Sequence, residues 1–233
     1  IHAAVFCSPH NPCGRVWERW EIEKAMELYK KYDVFVISDE IWSDLTLEGH
    51  KHIPTQSVNE YAHEHTFAFY APSKTFNLAG LVGSYHIVYN SYLRDRLMEA
   101  EKCSHYNSAN VLSISALMGA YTKEGAEWVD ELREVLTQNV DYAYTYITAH
   151  FEGVSVAKAQ GTYMLYLDCS GWLKAHPEMT MDDLIRAGIA VGVVWQDGRP
   201  FMNPNTIRMN LAVPHALVKE AMDRLDKYVF NAK

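Results

Sequence analysis

Residues 71–80 (APSKTFNLAG) hold a single lysine, Lys74, in an otherwise uncharged segment directly after the aromatic-rich run 66–70 (TFAFY). A lysine at the end of a buried strand is stripped of water, and desolvation favours the neutral amine. A neutral amine attacks carbonyl carbons and forms Schiff bases. Taken alone, Lys74 reads equally well as an ordinary surface lysine after a strand. Two further segments share its form. Residues 8–15 (SPHNPCGR) follow the apolar run 3–7 (AAVFC), and residues 34–42 (VFVISDEIW) are an apolar run ending in acids. Each is a continuous β-branched or aromatic run with polar groups at its carboxyl end. Buried parallel strands have this pattern, and open α/β sheets bind ligands just beyond those ends. An amide (Asn11), a carboxylate (Asp39) and an amine (Lys74) would then converge on one crevice.

That trio suits pyridoxal phosphate. The lysine would form a Schiff base with the cofactor aldehyde. A carboxylate beside the pyridine nitrogen keeps it protonated, so the ring accepts electrons. An amide can donate to the ring oxygen. Each residue also has a plain structural alternative: Asn11 before Pro12 could start a turn, and Asp39 could cap a helix. Three such residues in the right order are much harder to assign to coincidence.

The segments 10–17 (HNPCGRVW), 38–45 (SDEIWSDL), 49–54 (GHKHIP), 73–80 (SKTFNLAG) and 207–212 (IRMNLA) carry a resemblance. The chain resembles the fold-type I pyridoxal-phosphate enzymes of the aminotransferase superfamily from its first residue to its last. Within them it is most similar to the cystathionine β-lyase-like C–S lyases. Asn-Pro-x-Gly and Ser-Lys mark the superfamily; Gly-His-Lys-His-Ile-Pro and Arg-Val-Trp point to the lyase branch. The resemblance implies that Lys74 holds the cofactor and then moves the α-proton. It gives Asp39 the pyridine nitrogen, Asn11 the ring oxygen, Ile41 one face of the ring, and Arg208 the substrate α-carboxylate as a bidentate fork. Without it, Arg208 reads as a salt-bridged strand arginine. Ser73 is a cofactor residue whose role is less defined. Ala71 stands where many relatives have a phosphate-binding serine, and Val82 where aminotransferases have a phosphate-binding arginine. Trp42 replaces a tyrosine, and its size suits packing.

The 233 residues are 48% hydrophobic, enough for one large or two small domains. A net charge of -8 argues against nucleic acid and anionic membrane surfaces. No apolar run is long enough for a bilayer span, and no signal peptide is visible. Cys7, Cys13, Cys103 and Cys169 have no metal-binding spacing and read as reduced, cytoplasmic thiols. No metal site is expected. The opening residues, IHAAV, read as mid-strand. By the resemblance, a preceding portion would supply an aromatic stacked on the ring, a helix N-terminus for the phosphate and part of the small domain. The sheet would then expose an unpaired edge.

The pattern predicts strands over 3–8, 34–38, 66–70, 84–89, 154–158, 162–168, 189–194 and 206–211. It predicts helices over 18–31, 91–102, 108–121, 124–150, 182–187 and 215–230, with Thr180 as an N-cap. Residues 44–65 read as irregular, with a short polar helix near Val58. Trp20, Ala25, Leu28 and Tyr29 are expected to face the core, as are Leu117 and Met118. The fold class is α/β: a partial large cofactor-binding domain over 1–107, then a smaller α+β domain over 108–233. The expected function is β-elimination from a sulfur amino acid such as cystathionine or cysteine, giving thiol, pyruvate and ammonia. Transamination by the same residues is the alternative, and a non-catalytic fragment is the alternative of another class. A homodimer is expected for the intact protein.

Overall fold

The computed structural model describes residues 1–104 and 109–232. It divides into two compact units, Ile1–His10 with Val16–Glu131, and Asn11–Arg15 with Leu132–Lys233. The expected boundary after residue 107 falls outside the described residues. The division lies later because rings on the segment beyond it pack into the first unit: Tyr121 and Trp128 both meet Phe76 at 5.6 Å between centroids.

The first unit runs β1 (Ala3–Cys7), α1 (Arg19–Lys31), β2 (Phe35–Asp39), α2 (Glu60–His65), β3 (Thr66–Tyr70), α3 (Pro72–Thr75), β4 (Tyr85–Ile87), α4 (Ser91–Ser104) and α5 (Val111–Ala120). Its sheet has the order β1-β2-β3-β4. The first three strands are parallel, with Cys7 opposite Asp39 and Asp39 opposite Phe69, and β4 runs antiparallel. Helix α1 starts at a capping box between Glu18 and Glu21, which satisfies amides the first turn leaves unpaired. It buries Ile22 and Met26 against Val36 and Ala62. Trp20 and Leu28, expected in the core, are 59% and 54% exposed. The buried stripe is centred on Ile22 and Met26, one turn apart, and those two lie off it.

Covering is one-sided. Phe6 and Val36 pack inward, while Val5 is 71% and Ile37 38% exposed. A continuous apolar run reads as burial on both faces, but here only one face is covered among the described residues. Part of the irregular 44–65 region forms α2, capped by Asn59 through the Ala62 N–H at 2.9 Å. Helix α5 buries Ser113, whereas Met118 is 70% exposed. This reverses the core assignment of Met118: α5 is apolar all round, so its sequence cannot say which side packs.

The second unit contains most of α6 (Lys123–His150), then β5 (Ser155–Val156), β6 (Met164–Asp168), α7 (Ser170–Ala175), α8 (Met181–Ala190), β7 (Gln196–Asp197), β8 (Thr206–Asn210) and α9 (His215–Leu225). Its antiparallel sheet has the order β5-β6-β8-β7. Leu136, Val140, Ala143 and Ile147 repeat at helical spacing along α6 and are buried with Leu165, Leu167 and Ile207. Asn139 is also fully buried; its amide donates to the Leu211 and Val213 carbonyls at 2.9 and 2.8 Å. Thr180 caps α8 as expected, in a box with Asp183. The strand expected over 189–194 is instead the end of α8 and a turn through Gly192 at φ +82°, where glycine is favoured. The strand follows at 196–197. A one-turn π-helix, Asp226–Phe230, extends α9. No helix among the described residues is long and apolar enough to cross a membrane.

Candidate active site

The first unit carries Asp39, Ile41, Ser73 and Lys74 at the carboxyl ends of the neighbouring parallel strands β2 and β3. Asp39 is the last residue of β2. It caps no helix; its Oδ1 accepts from the Ile41 N–H at 3.2 Å, which turns the chain out of the strand. Its Oδ2 is then the oxygen left for a further donor. Beyond β3, Ala71 is buried and Pro72 starts the single turn α3. Ser73 and Lys74 lie half-buried on that turn, and Lys74 Nζ sits 6.0 Å from the centre of the Trp42 ring. Trp42 is buried, as its packing role requires. Next to the lysine, Thr75 donates to Asp44 Oδ2 at 2.9 Å and so ties α3 to the segment after β2. Tyr121 reaches the same oxygen at 3.4 Å. Val82 is 86% exposed at φ +53°.

The second unit carries Asn11 and Arg208, and the structure brings these two together. Arg208, in the middle of β8, donates Nη1 to Asn11 Oδ1 at 2.8 Å and Nη2 to Gln196 Oε1. Its guanidinium lies 5.0 Å over the Phe201 ring. Among the described residues no carboxylate pairs with it, so it is not the salt-bridged strand arginine of the plain reading. Burial lowers its pKa from the ordinary guanidinium value, which leaves it charged at any physiological pH. Asn11 belongs to a loop held by Gly14, whose carbonyl accepts from the Gln160 and Gly161 N–H groups at 2.8 and 2.9 Å. At φ +69°, a Cβ on Gly14 would stand 2.5 Å from that of Ala159. Gly14→Ala is therefore expected to cost about 2–4 kcal/mol through a strained backbone and a clash. Urea unfolding reads this directly, and an unchanged midpoint would mean the loop is not held this way.

One group was not legible as part of the site. Glu40, immediately after Asp39, is fully buried. Its Oε1 accepts from Ser38 Oγ at 2.8 Å and the Thr55 N–H at 3.0 Å; its Oε2 accepts from Tyr70 at 2.7 Å and His52 Nε2 at 2.6 Å. Burial pushes its pKa up, but the hydrogen bond and charge of His52, with hydrogen bonds from Tyr70 and Ser38, bring it below the ordinary carboxylate value. Burial and the Glu40 charge push the Tyr70 hydroxyl the other way, so it stays a donor. The sequence signal was a second acid inside an apolar run, and the 49–54 segment that holds His52.

No disulfide joins the cysteines among the described residues, and burial pushes the Cys169 thiol up to about 12. No cluster of three or more metal-ligating side chains occurs among the described residues.

A model of the class I and II aminotransferase family matches residues 2–225. Cystathionine β-lyase PatB of Bacillus subtilis (strain 168) is 35% identical over 168 residues, 72% of this chain and 43% of that protein. Protein MalY of Escherichia coli (strain K12) is 36% identical over 165 residues, 70% of this chain and 41% of that protein. The crystal structure of cystalysin from Treponema denticola, which contains a pyridoxal 5'-phosphate cofactor, matches with a TM-score of 0.89 at 30% identity, covering 100% of this chain and 58% of that one. The chain thus spans about half the length of the relatives it matches. The fold is that of the fold-type I pyridoxal-phosphate enzymes, with a first sheet of three parallel strands and one antiparallel edge strand, and an antiparallel second sheet. Matched over nearly its whole length, the chain belongs to the class I and II aminotransferase family.

Proposed function

We propose that this chain carries the lysine half of a pyridoxal-phosphate-dependent C–S β-lyase acting on a sulfur amino acid such as cystathionine or cysteine. The observation that carries the reading is the placement of Asp39 and Lys74 at the carboxyl ends of adjacent parallel strands, where α/β sheets hold ligands. The residues fit the cofactor. Asp39 Oδ2 can accept the pyridinium N–H, and Lys74 offers an amine to the aldehyde. Ile41 would pack on one face of the ring. Ser73 is the hydroxyl available to the phosphate, since Ala71 and Val82 contribute none. Bound there, the cofactor supplies an aldehyde that condenses with amines and a ring that takes up an electron pair.

The chain's own residues do the rest. Asn11, with Oδ1 engaged by Arg208, has its Nδ2 hydrogens left for the ring oxygen. Arg208 has five N–H groups; two are engaged, which leaves three for a substrate carboxylate. Lys74 Nζ would be the base that takes the substrate α-proton, and β-elimination of the thiolate from such a substrate gives thiol, pyruvate and ammonia overall. The name of the PatB relative supports the lyase over the transaminase outcome, as does Val82 in place of an arginine. The resemblance also implies a homodimer, which sedimentation equilibrium reads. Four cysteines with no disulfide among the described residues support a cytoplasmic location.

The test is product analysis with L-cystathionine and added pyridoxal phosphate. Pyruvate release is expected. Conversion of the cofactor to its pyridoxamine form without pyruvate would make the chain a transaminase, and no visible cofactor absorption would make it non-catalytic.

A further inference from the structure

We infer that Glu40 is a positioning residue: its buried carboxylate locks the carboxyl ends of β2 and β3 together and so fixes where Asp39 and Lys74 are presented. The inference deepens the cofactor reading above and rests on it. The geometry is local to the first unit. Glu40 directly follows the last paired residue of β2, and its N–H donates to the Phe69 carbonyl at 3.0 Å. Its side chain then reaches across to the next residue of β3, accepting from Tyr70 at 2.7 Å. Glu40 is thus bonded through backbone and side chain to the two residues that lead into Ala71 and the Lys74 turn. Ser38, Thr55 and His52 hold the same carboxylate from behind. Tyr70 is itself stacked on Tyr85 of β4 at 5.5 Å.

A buried carboxylate is costly unless its lone pairs are filled, and stability alone is better served by an apolar residue of like volume. Here all four acceptor positions are used, and the donors come from β2, β3 and the segment 52–55. A carboxylate with every acceptor position filled rigidifies the segments that donate to it, while the other ring nitrogen of one donor, His52 Nδ1, is buried without a partner among the described residues. The joined elements are the ones that carry Asp39, directly before Glu40, and Lys74, four residues beyond Tyr70. Reacting groups held this way lose about 10²-fold in rate for a displacement of about 1 Å.

The test uses the full chain and the rate at which borohydride traps pyridoxal phosphate on Lys74, followed by peptide mass. Glu40→Gln and Tyr70→Phe are compared with Met26→Ala, a core truncation away from the network, after urea unfolding has ranked all three. Trapping on Lys74 is expected to slow by roughly tenfold to 10²-fold in Glu40→Gln, and by less in Tyr70→Phe. Met26→Ala should trap at the unsubstituted rate however much stability it loses. Should Glu40→Gln fail to fold, Tyr70→Phe removes one donor only and still decides the matter. Unchanged trapping in the network variants, or slowing that follows stability loss in all three, overturns the inference and leaves the cofactor reading standing. Absence of label on Lys74 in the unsubstituted chain overturns both.

Discussion

Replacing Lys74 with alanine is expected to abolish the visible absorption of bound pyridoxal phosphate and to lower pyruvate release from L-cystathionine below detection. Two losses combine. The amine that tethers the cofactor aldehyde disappears, and so does the base that takes the α-proton. General acid–base catalysis alone is worth about 10²–10⁴-fold. The fold should be indifferent, because Lys74 is half-exposed on a single turn and its amine stands 6.0 Å from the centre of the Trp42 ring. An unaltered urea midpoint with no visible band is the expected pair of readings. Full turnover in Lys74→Ala would assign the chemistry to another residue.

Arg208→Ala is expected to act on substrate binding. A half-buried guanidinium held by two neutral amides and a ring has its positive charge uncompensated by any carboxylate among the described residues. Such a group is suited to a substrate carboxylate, and truncating a buried partner of this kind costs about 2–5 kcal/mol. Solvent exposure puts Arg208 at the low end, about 2 kcal/mol, or roughly thirtyfold in KM. Arg208→Lys should recover little, because an ammonium lacks the planar fork. Steady-state kinetics separates the cases: KM rises and kcat falls less. An unchanged KM would remove Arg208 from substrate binding.

Much of this was legible because strands β1, β2 and β3 are short apolar runs closed by polar residues, and that pattern survives without tertiary knowledge. Asp39 and Lys74 could be placed at strand ends on this ground alone. Arg208 could be placed in a strand, but its neutral partners could not be foreseen, since Asn11 lies 197 residues away. Glu40 escaped for a related reason. In sequence a glutamate reads as solvated, and only the convergence of Ser38, His52, Thr55 and Tyr70 makes it a buried anion. The exposure of Trp20 and Met118 shows the opposite limit. Apolar residues on a helix announce a core-facing stripe, but which of them packs is decided by the neighbouring element. The strand expected over 189–194 failed because a short run of Ile, Val and Gly fits a helix end and a turn equally well.

The most direct measurement is a peptide map of the chain after pyridoxal phosphate is added and fixed by borohydride. The account predicts reduced cofactor on the Lys74 peptide and on no other lysine, with the label suppressed when L-cystathionine is added first. Label spread over surface lysines such as Lys123, whose side chain is 86% exposed, or a Lys74 peptide left unmodified, would contradict it.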